Sequence, residues 1–245
     1  MHTPPTRPRV AVVGRGRLGS ALVPALRDAG WTVDGPLGRD TAPDGADVVL
    51  LCVPDREIAT AAAALPPRNG VLVGHCSGAT PLTALAPHEA FGLHPLMTIP
   101  AGAPTRFDGA TAGVAGTTAH ALATAQDLAT SLGMLPFTLD DGARPAYHAA
   151  ASVASNYLLT VEDLAERLAA VAGVPRQALV PLVRATVDNW AAHGAARVLT
   201  GPIARSDTAT VARQRAAVEA VSPADLDLFD TLAAATGRLA GRGAA

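Results

Sequence analysis

Arg9-Val-Ala-Val-Val13 is a short apolar run, and Gly14-Arg15-Gly16-Arg17-Leu18-Gly19 follows it with no spacer. Ser20–Gly30 then carries a helical pattern, and Trp31–Gly35 reads as a second strand. A strand, a GxGxxG turn, a helix and another strand within about 30 residues is a narrow combination. The first glycine permits the tight turn, the second lets the backbone approach a pyrophosphate, and the third lets the helix pack close to the strand. The N–H groups at the helix N-terminus then face the phosphates. This unit commits the N-terminal part of the chain to an α/β, Rossmann-type parallel sheet. It also makes Gly14, Arg15, Gly16, Arg17, Leu18 and Gly19 the expected dinucleotide-binding loop. Asp34 lies about 20 residues past Gly14, where a ribose-binding acid is often found, but it falls inside the second strand. The loop after it reads Pro36-Leu-Gly-Arg39-Asp40. Arg39 sits where an arginine pairs with a 2′-phosphate, which favours NADP, while Asp40 leaves NAD open.

The alternation continues. Asp47–Val53 is a third buried strand running into Val53-Pro54-Asp55, with a helix over Arg56–Leu65 that Asp55 is placed to cap. Gly70–Gly74 leads into His75-Cys-Ser77-Gly-Ala79, and Ala90–Leu93 ends at His94-Pro95. Thr111–Gly116, a helix over 118–132 and Leu135–Leu139 complete a doubly wound pattern. In such sheets ligands bind beyond the carboxyl ends of the strands. That places Val53, Pro54 and Ser77 on the cofactor side, with His94 on the same edge as a proton donor or substrate anchor. After Asp140-Asp141-Gly142 the strand pattern stops. Helices are predicted over 145–171, 176–193, 207–220 and 223–240, with Ser206 or Asp207 as an N-cap. The expected domains are therefore a dinucleotide-binding domain over 1–141 and a helical substrate and dimerisation domain over 142–245.

Composition narrows the functional classes. With 49% apolar residues in 245, a formal net charge of −2 and no basic patch, nucleic acid is excluded as an expected partner. No apolar window is long enough for a membrane span, and Met1–Pro8 lacks a signal core, so a cytoplasmic location is expected. Cys52 and Cys76 have neither metal nor CxxC spacing and read as reduced structural thiols. All 19 basic residues are arginine. Arginine holds its proton near neutral pH, so Schiff-base chemistry and a lysine acid are both excluded. Any proton donor is a histidine, an acid, a tyrosine, a cysteine or water.

The helix beginning near Pro145 carries two stripes. At 100° per residue, His148, Ser152 and Asn156 fall within about 80° of one another. Ala150, Val153, Tyr157, Val161, Leu164 and Leu168 form an apolar stripe on roughly the opposite side. A polar stripe on a core helix faces a site or a buried interface. As a histidine, His148 belongs to the residue type suited to protonating an alkoxide. Asn156, two turns on, is suited to orienting substrate or a nicotinamide carboxamide, and Ser152 lies between them. Arg205, in Thr200–Asp207, is suited to clamping a carboxylate. Trp190, with Leu182, Val183, Thr186 and Val187, reads as core or dimer interface.

Three stretches carry a family resemblance: Ala90-Phe-Gly-Leu-His-Pro-Leu-Met97, Tyr147-His-Ala-Ala-Ala-Ser-Val-Ala-Ser-Asn-Tyr157 and Leu199-Thr-Gly-Pro-Ile-Ala-Arg-Ser-Asp207. With the fingerprint and the Val53-Pro-Asp55 turn, the chain resembles the Rossmann-like/DUF2520 proteins from Arg9 to about Val221. These are relatives of ketopantoate and pyrroline-5-carboxylate reductases. The resemblance implies a two-domain NAD(P)-dependent oxidoreductase, homodimeric through its helical domain, with the active site between the domains. The better-known ketopantoate reductases carry Lys-x3-Asn-x3-Asn where this chain has His148-x3-Ser152-x3-Asn156. The lysine is absent, and His148 stands in its place. The expected reaction is hydride transfer from NADPH to a small carbonyl compound, with 2-dehydropantoate the leading substrate. His148 or His94 would supply the proton, and Asn156 and Arg205 would orient the acid. Reduction of an imine and a non-catalytic NADP-binding sensor are the alternatives.

Overall fold

The computed structural model describes residues 7–38, 41–100 and 104–243. It divides into two compact units, one ending at Ser155 and the other beginning at Asn156. The division falls inside the long helix rather than at 141/142, so the first turns of that helix belong with the sheet.

The sheet unit contains β1 (Val10–Val13), β2 (Val33–Leu37), β3 (Val48–Leu51), β4 (Leu72–His75), β5 (Glu89–Leu96), β6 (Thr111–Gly116) and β7 (Leu135–Thr138). Their spatial order is β2-β1-β3-β4-β5-β6-β7. β1, β3 and β4 are buried along their whole length, as expected for short Val/Leu runs covered on both faces. One face packs Val10, Val12, Val48 and Leu50 against α1 (Arg17–Asp28) and α3 (Ala119–Ser131) through Leu22, Leu26, Ala125 and Leu128. The other packs Ala11, Val13, Val49 and Leu51 against Ile58 and Ala62 of α2 (Ile58–Ala63). Each fully buried leucine in these layers contributes about 2 kcal/mol of transfer free energy.

The sheet departs from the expected all-parallel form at one pair. β6 runs antiparallel to β5, with Phe91 opposite Gly116 and Leu96 opposite Thr111. A parallel return needs a crossover, usually a helix. The described residues between these strands, 97–100 and 104–110, contain no helix. β5 is also longer than the apolar run Ala90–Leu93 indicated. His94 and Pro95 are strand residues, with His94 opposite Gly113, and not a loop beyond the strand. Gly92 pairs with His75 at the end of β4, so β5 carries His94 past the end of its neighbour.

The helix predicted over 145–171 is α4 (Arg144–Ser152), a π turn at Val153–Tyr157 and α5 (Leu158–Val171). A π turn closes i to i+5, so an arc drawn at 100° per residue holds from His148 to Ser152 and does not carry on to Asn156. The proposed apolar stripe is only partly realised, since Val153 and Tyr157 are exposed and Leu164 alone of its members is buried. The helical unit continues with α6 (Arg176–His193), α7 (Ala195–Val198), α8 (Thr208–Val221) and α9 (Leu226–Gly243). Asp207 is the N-cap of α8, accepting from Thr210 N–H at 3.0 Å. Among the described residues of this unit, Leu164 and Val218 are the only buried hydrophobics. Trp190, at 57% exposure, is not part of a core in the single chain.

His75, at the end of β4, is 0% exposed, and burial together with the Arg144 charge pushes its pKa from 6.5 down to about 4. Between those two values the unfolded chain binds the proton and the folded one does not, so stability falls as pH falls through that window and levels off below it. His94 is shifted to about 4 as well, through burial and the neighbouring His148. Urea unfolding at pH 7 and pH 5 should therefore show a lower midpoint at pH 5, with His75 alone contributing about 2 kcal/mol. His75→Asn should remove roughly half of that pH dependence, and a wild-type midpoint unchanged between the two pH values would refute the account.

Candidate functional site

The GxGxxG loop has the dimensions its sequence demands. Gly14 adopts φ +121°, and a Cβ there would lie 2.2 Å from the Cys52 carbonyl oxygen. A Cβ at Gly19 would lie 2.1 Å from the Gly14 oxygen. Neither position admits a side chain, because backbone is what it would strike. Gly16 is different: it has φ −72°, and nothing lies within 4 Å of where its Cβ would be. It is the N-cap of α1 with no side-chain cap, and no acid occupies the first turn. Free N–H groups, a positive helix end and an open approach at Gly16 together make an anion cradle. Leu18 packs into the core beneath it.

Two arginines extend the cradle. The guanidinium of Arg15 lies over Gly38, with its Cζ 3.3 Å from where a Cβ at that glycine would be. Arg17 Nη1 donates to the Ile99 carbonyl at 3.3 Å, which ties the start of α1 to the segment after β5. Arg39 lies outside the described residues. Asp34 is not free to hold a ribose, since Arg9 grips both its oxygens at 2.6 and 3.0 Å. Beside the loop, Val53 lines a largely apolar cavity of about 690 Å³ with Val13, Leu51, Thr41 and Ala61. Pro54 is exposed at the same turn. Cys52 and Cys76 are free thiols with their sulfurs 3.8 Å apart, and hydrogen bonding to Cys52 together with burial pushes Cys76 well above the usual thiol range.

The next stretch of the edge is a buried polar knot. Ser77 is buried, and its Oγ donates to Asp55 Oδ2 at 2.8 Å while accepting from the N–H groups of Ala79 and Thr80 at 3.1 and 2.9 Å. Asp55 thus serves Ser77 and does not cap the following helix. The Ser77 hydroxyl is fully occupied in shaping its own loop, and Arg144 Nη1 donates to its carbonyl at 3.3 Å. Arg144 is only 2% exposed and forms an ion pair with Asp141 at 2.5 Å. Burial alone would raise the Asp141 carboxyl, but hydrogen bonds from Arg144 and from Leu82 N–H outweigh it and hold the pKa below the usual range.

One helical turn after Arg144, the Tyr147 hydroxyl lies 2.6 Å from His94 Nδ1. The two rings meet edge to face at 5.4 Å between centroids, and Phe137 packs on the tyrosine at 5.7 Å. Two glycines make room for this pair. A Cβ at Gly78 would lie 2.9 Å from His94 Cε1, and one at Gly113 would lie 3.3 Å from the Tyr147 oxygen. Both rings are half-buried. His94 is therefore neutral at pH 7 (pKa about 4), and burial raises the Tyr147 hydroxyl above 10.

Arg144, Tyr147 and Ala151 form the covered face of α4, with the half-buried Ser152 beside it and His148 on the exposed flank. The structure thus brings His94 and His148 into one neighbourhood, close enough for His148 to depress His94. Asn156 and Arg205 both belong to the helical unit and are exposed, Arg205 in the turn before α8. Sequence reading missed Tyr147, Arg144 and Asp141. Tyr147 stood inside a quoted motif and was passed over in favour of its neighbour. The Asp141-x2-Arg144 spacing is an ordinary helical ion pair, and nothing in it announces burial.

Comparison with known proteins supports the architecture. A family model described as a domain of unknown function, DUF2520, matches residues 110–236, more than half of the chain. No functionally curated protein matches. Among solved structures, a Bacteroides fragilis protein described as a candidate NADP oxidoreductase aligns with a TM-score of 0.82 at 17% identity, covering 95% of this chain and 99% of that one. A Thermotoga maritima protein aligns with a TM-score of 0.75 at 22% identity, covering 96% and 100%. A reductive aminase from Aspergillus terreus, in complex with NADPH and ethyl-5-oxohexanoate, aligns with a TM-score of 0.71 at 16% identity, covering 95% and 94%. At these identities the likeness is one of fold.

The two outer features of the cradle can be separated by substitution. Gly14→Ala forces a Cβ against the Cys52 backbone and should unfold the protein or lower its Tm by about 10 °C or more, an effect of several kcal/mol. Gly16→Ala meets open space at an ordinary φ and should leave Tm within about 2 °C. If a dinucleotide crosses that space, Gly16→Ala should still weaken its binding at least tenfold by fluorescence titration. Unchanged binding would show that the opening is not its path.

Proposed function

Because the chain belongs to the DUF2520 family, a domain of unknown function, its activity has to be argued from its site, and we propose that it is an NADPH-dependent reductase of a small carbonyl compound. The observation that carries this reading is the sharing of one sheet edge by an anion cradle at Gly14–Gly19 and a half-buried His94–Tyr147 pair. The cradle fits a dinucleotide: Gly16 and the uncapped start of α1 would hold the pyrophosphate, and the cavity beside Val53 would take the apolar face of the adenosine half. Arg15, lying over Gly38, would meet a 2′-phosphate, and Arg39 follows immediately in sequence. NADP is accordingly the proposed cofactor in preference to NAD.

When bound, the dinucleotide supplies a hydride from its nicotinamide ring. The protein's part is to orient the acceptor carbon, exclude water and deliver a proton to the acceptor oxygen. Ser77 shapes the loop at the end of β4, and His94, with His148 near it, supplies the acid–base chemistry. Ser152, Asn156 and Arg205 are the sequence-derived candidates for holding the rest of the substrate. The leading substrate is 2-dehydropantoate, whose carboxylate suits an arginine. Reduction of an imine is a second reading, supported by the fold likeness to a reductive aminase.

A second copy of the chain is the proposed partner. The helical unit exposes Leu159 and Leu182 at 66% each, besides Trp190, while burying almost no apolar side chain of its own. A unit of this size needs a larger core than that to hold together. A homodimer through the helical unit would supply it.

The proposal is tested by screening keto acids and cyclic imines for oxidation of NADPH and of NADH. Turnover of 2-dehydropantoate with NADPH preferred at least tenfold is the expected result, and loss of that preference in Arg15→Ala would locate its source. No oxidation with any keto acid or imine would reject the reductase reading, and turnover confined to imines would replace the leading substrate. Normal turnover in both His148→Ala and Asn156→Ala would reject a catalytic role for either side chain. Light scattering should give twice the 24.7 kDa chain mass, and a monomer at micromolar concentration would reject the dimer.

A further inference from the structure

Carbonyl reduction requires a proton as well as a hydride, and the sequence offered His148 or His94 as its source. We propose instead that the Tyr147 hydroxyl delivers the proton and that His94 Nδ1 resupplies it, an inference that rests on the reductase reading above. Four features of the pair point the same way. The hydroxyl and Nδ1 are 2.6 Å apart. The rings are fixed edge to face, and Phe137 packs on the tyrosine at 5.7 Å between centroids. Space for both rings is cleared at Gly78 and Gly113, where a Cβ would press on His94 and on the Tyr147 oxygen. The tyrosine is anchored one turn after Arg144, which is pinned to Asp141 and to the Ser77 carbonyl.

The protonation states suit a relay. The charged and titratable groups acting on His94 are His148, Asp55 and Arg144, and burial with His148 and Arg144 outweighs Asp55 to keep the ring neutral at pH 7. A neutral imidazole can give a proton from one nitrogen while taking one at the other. Tyr147, under the influence of burial and Arg144, keeps its proton at pH 7 and so has one to give. As hydride adds to the carbonyl carbon, the π pair of the C=O bond moves onto oxygen. The Tyr147 O–H bond breaks towards that oxygen, and an O–H bond forms on the product. The His94 Nδ1–H bond then breaks towards the tyrosine oxygen while Nε2 takes a proton from solvent hydronium. Loss of the Nε2 proton to water, with uptake of one at Nδ1, restores the starting tautomer before the next cycle. The carbonyl gains two electrons and two hydrogens, the dinucleotide loses a hydride, and both side chains return to neutral.

The test compares Tyr147→Phe and His94→Gln with wild type. Tyr147→Phe should lower kcat at least 100-fold, within the range for loss of a general acid, while NADPH affinity by fluorescence titration stays within twofold. His94→Gln should lower kcat about tenfold and leave a pH profile different from that of wild type. Independently of turnover, the 15N resonance of His94 Nδ1 should shift in Tyr147→Phe at pH 7, because its 2.6 Å partner is gone. An unshifted resonance would overturn the pair, and a Tyr147→Phe kcat within threefold of wild type would overturn the donor role while leaving the reductase reading standing. Wild-type protein that binds NADPH but reduces no carbonyl would overturn both.

Discussion

Arg144 is the point on which the site depends. A guanidinium taken out of water costs several kcal/mol unless its hydrogen bonds are replaced in kind. Here the replacements come from Asp141 in the turn before α4 and from the Ser77 carbonyl in the loop after β4. One side chain thus fixes the start of a helix against a loop 67 residues away in sequence. Removal of Asp141 would leave the buried Arg144 guanidinium without its counter-charge, which typically costs about 3–5 kcal/mol, whereas Asp141 is 37% exposed and would be hydrated on losing Arg144. The pair adds little net stability over an apolar substitute. What it does provide is position, because Tyr147 follows one turn later and can meet His94 only if α4 enters at this angle.

The mixed sheet serves the same end. Had β6 continued the parallel order, β5 would have ended in a crossover loop and His94 would have sat on flexible backbone. Because β6 returns antiparallel, β5 is held by a ladder through Leu96, opposite Thr111. His94 is then a strand residue with its backbone tied to Gly113, although it projects beyond the last residue of β4 that pairs with its strand. A side chain on a paired strand is held more precisely than one on a loop. The glycine opposite also leaves the space that the tyrosine oxygen enters.

Much of the fold was legible in the residues. The fingerprint, the buried strands and the switch to helices after Asp141 each follow from local patterns with a period, and these elements came out close to their expected bounds. α6 spans the very residues predicted, 176–193. What failed to show was non-local or broke a period. The direction of β6 goes with the lack of a crossover helix among the described residues between it and β5, and a missing element is harder to read than one that is present. The π turn adds a residue to a helix whose sequence is smoothly helical, and so it rotated Asn156 out of the arc computed for it. The apolar stripe was assigned to a core, but a stripe of this kind reads the same whether its partner is the same chain or another. In the site, the glycines were legible because only one residue type fits them. Tyr147 was not, because its significance lies in a contact with a strand more than 50 residues earlier.

The lysine-free composition acquires a physical meaning in this arrangement. A lysine in a half-buried site can serve as an acid because burial lowers its pKa towards neutrality; an arginine under the same pressure stays charged. The permanent charge of Arg144 contributes to pushing both His75 and His94 down to about 4. Burial, with that cation adding to it, keeps the His75 and His94 rings neutral at pH 7, and the proposed relay would therefore run through neutral groups. A neutral phenol backed by a neutral imidazole costs less to desolvate than an ammonium or an imidazolium. The formal charges acting on the His94–Tyr147 pair come from Arg144, matched by Asp141, and from Asp55, which holds Ser77, while in the proposed relay the proton would move between side chains that start and finish the cycle uncharged.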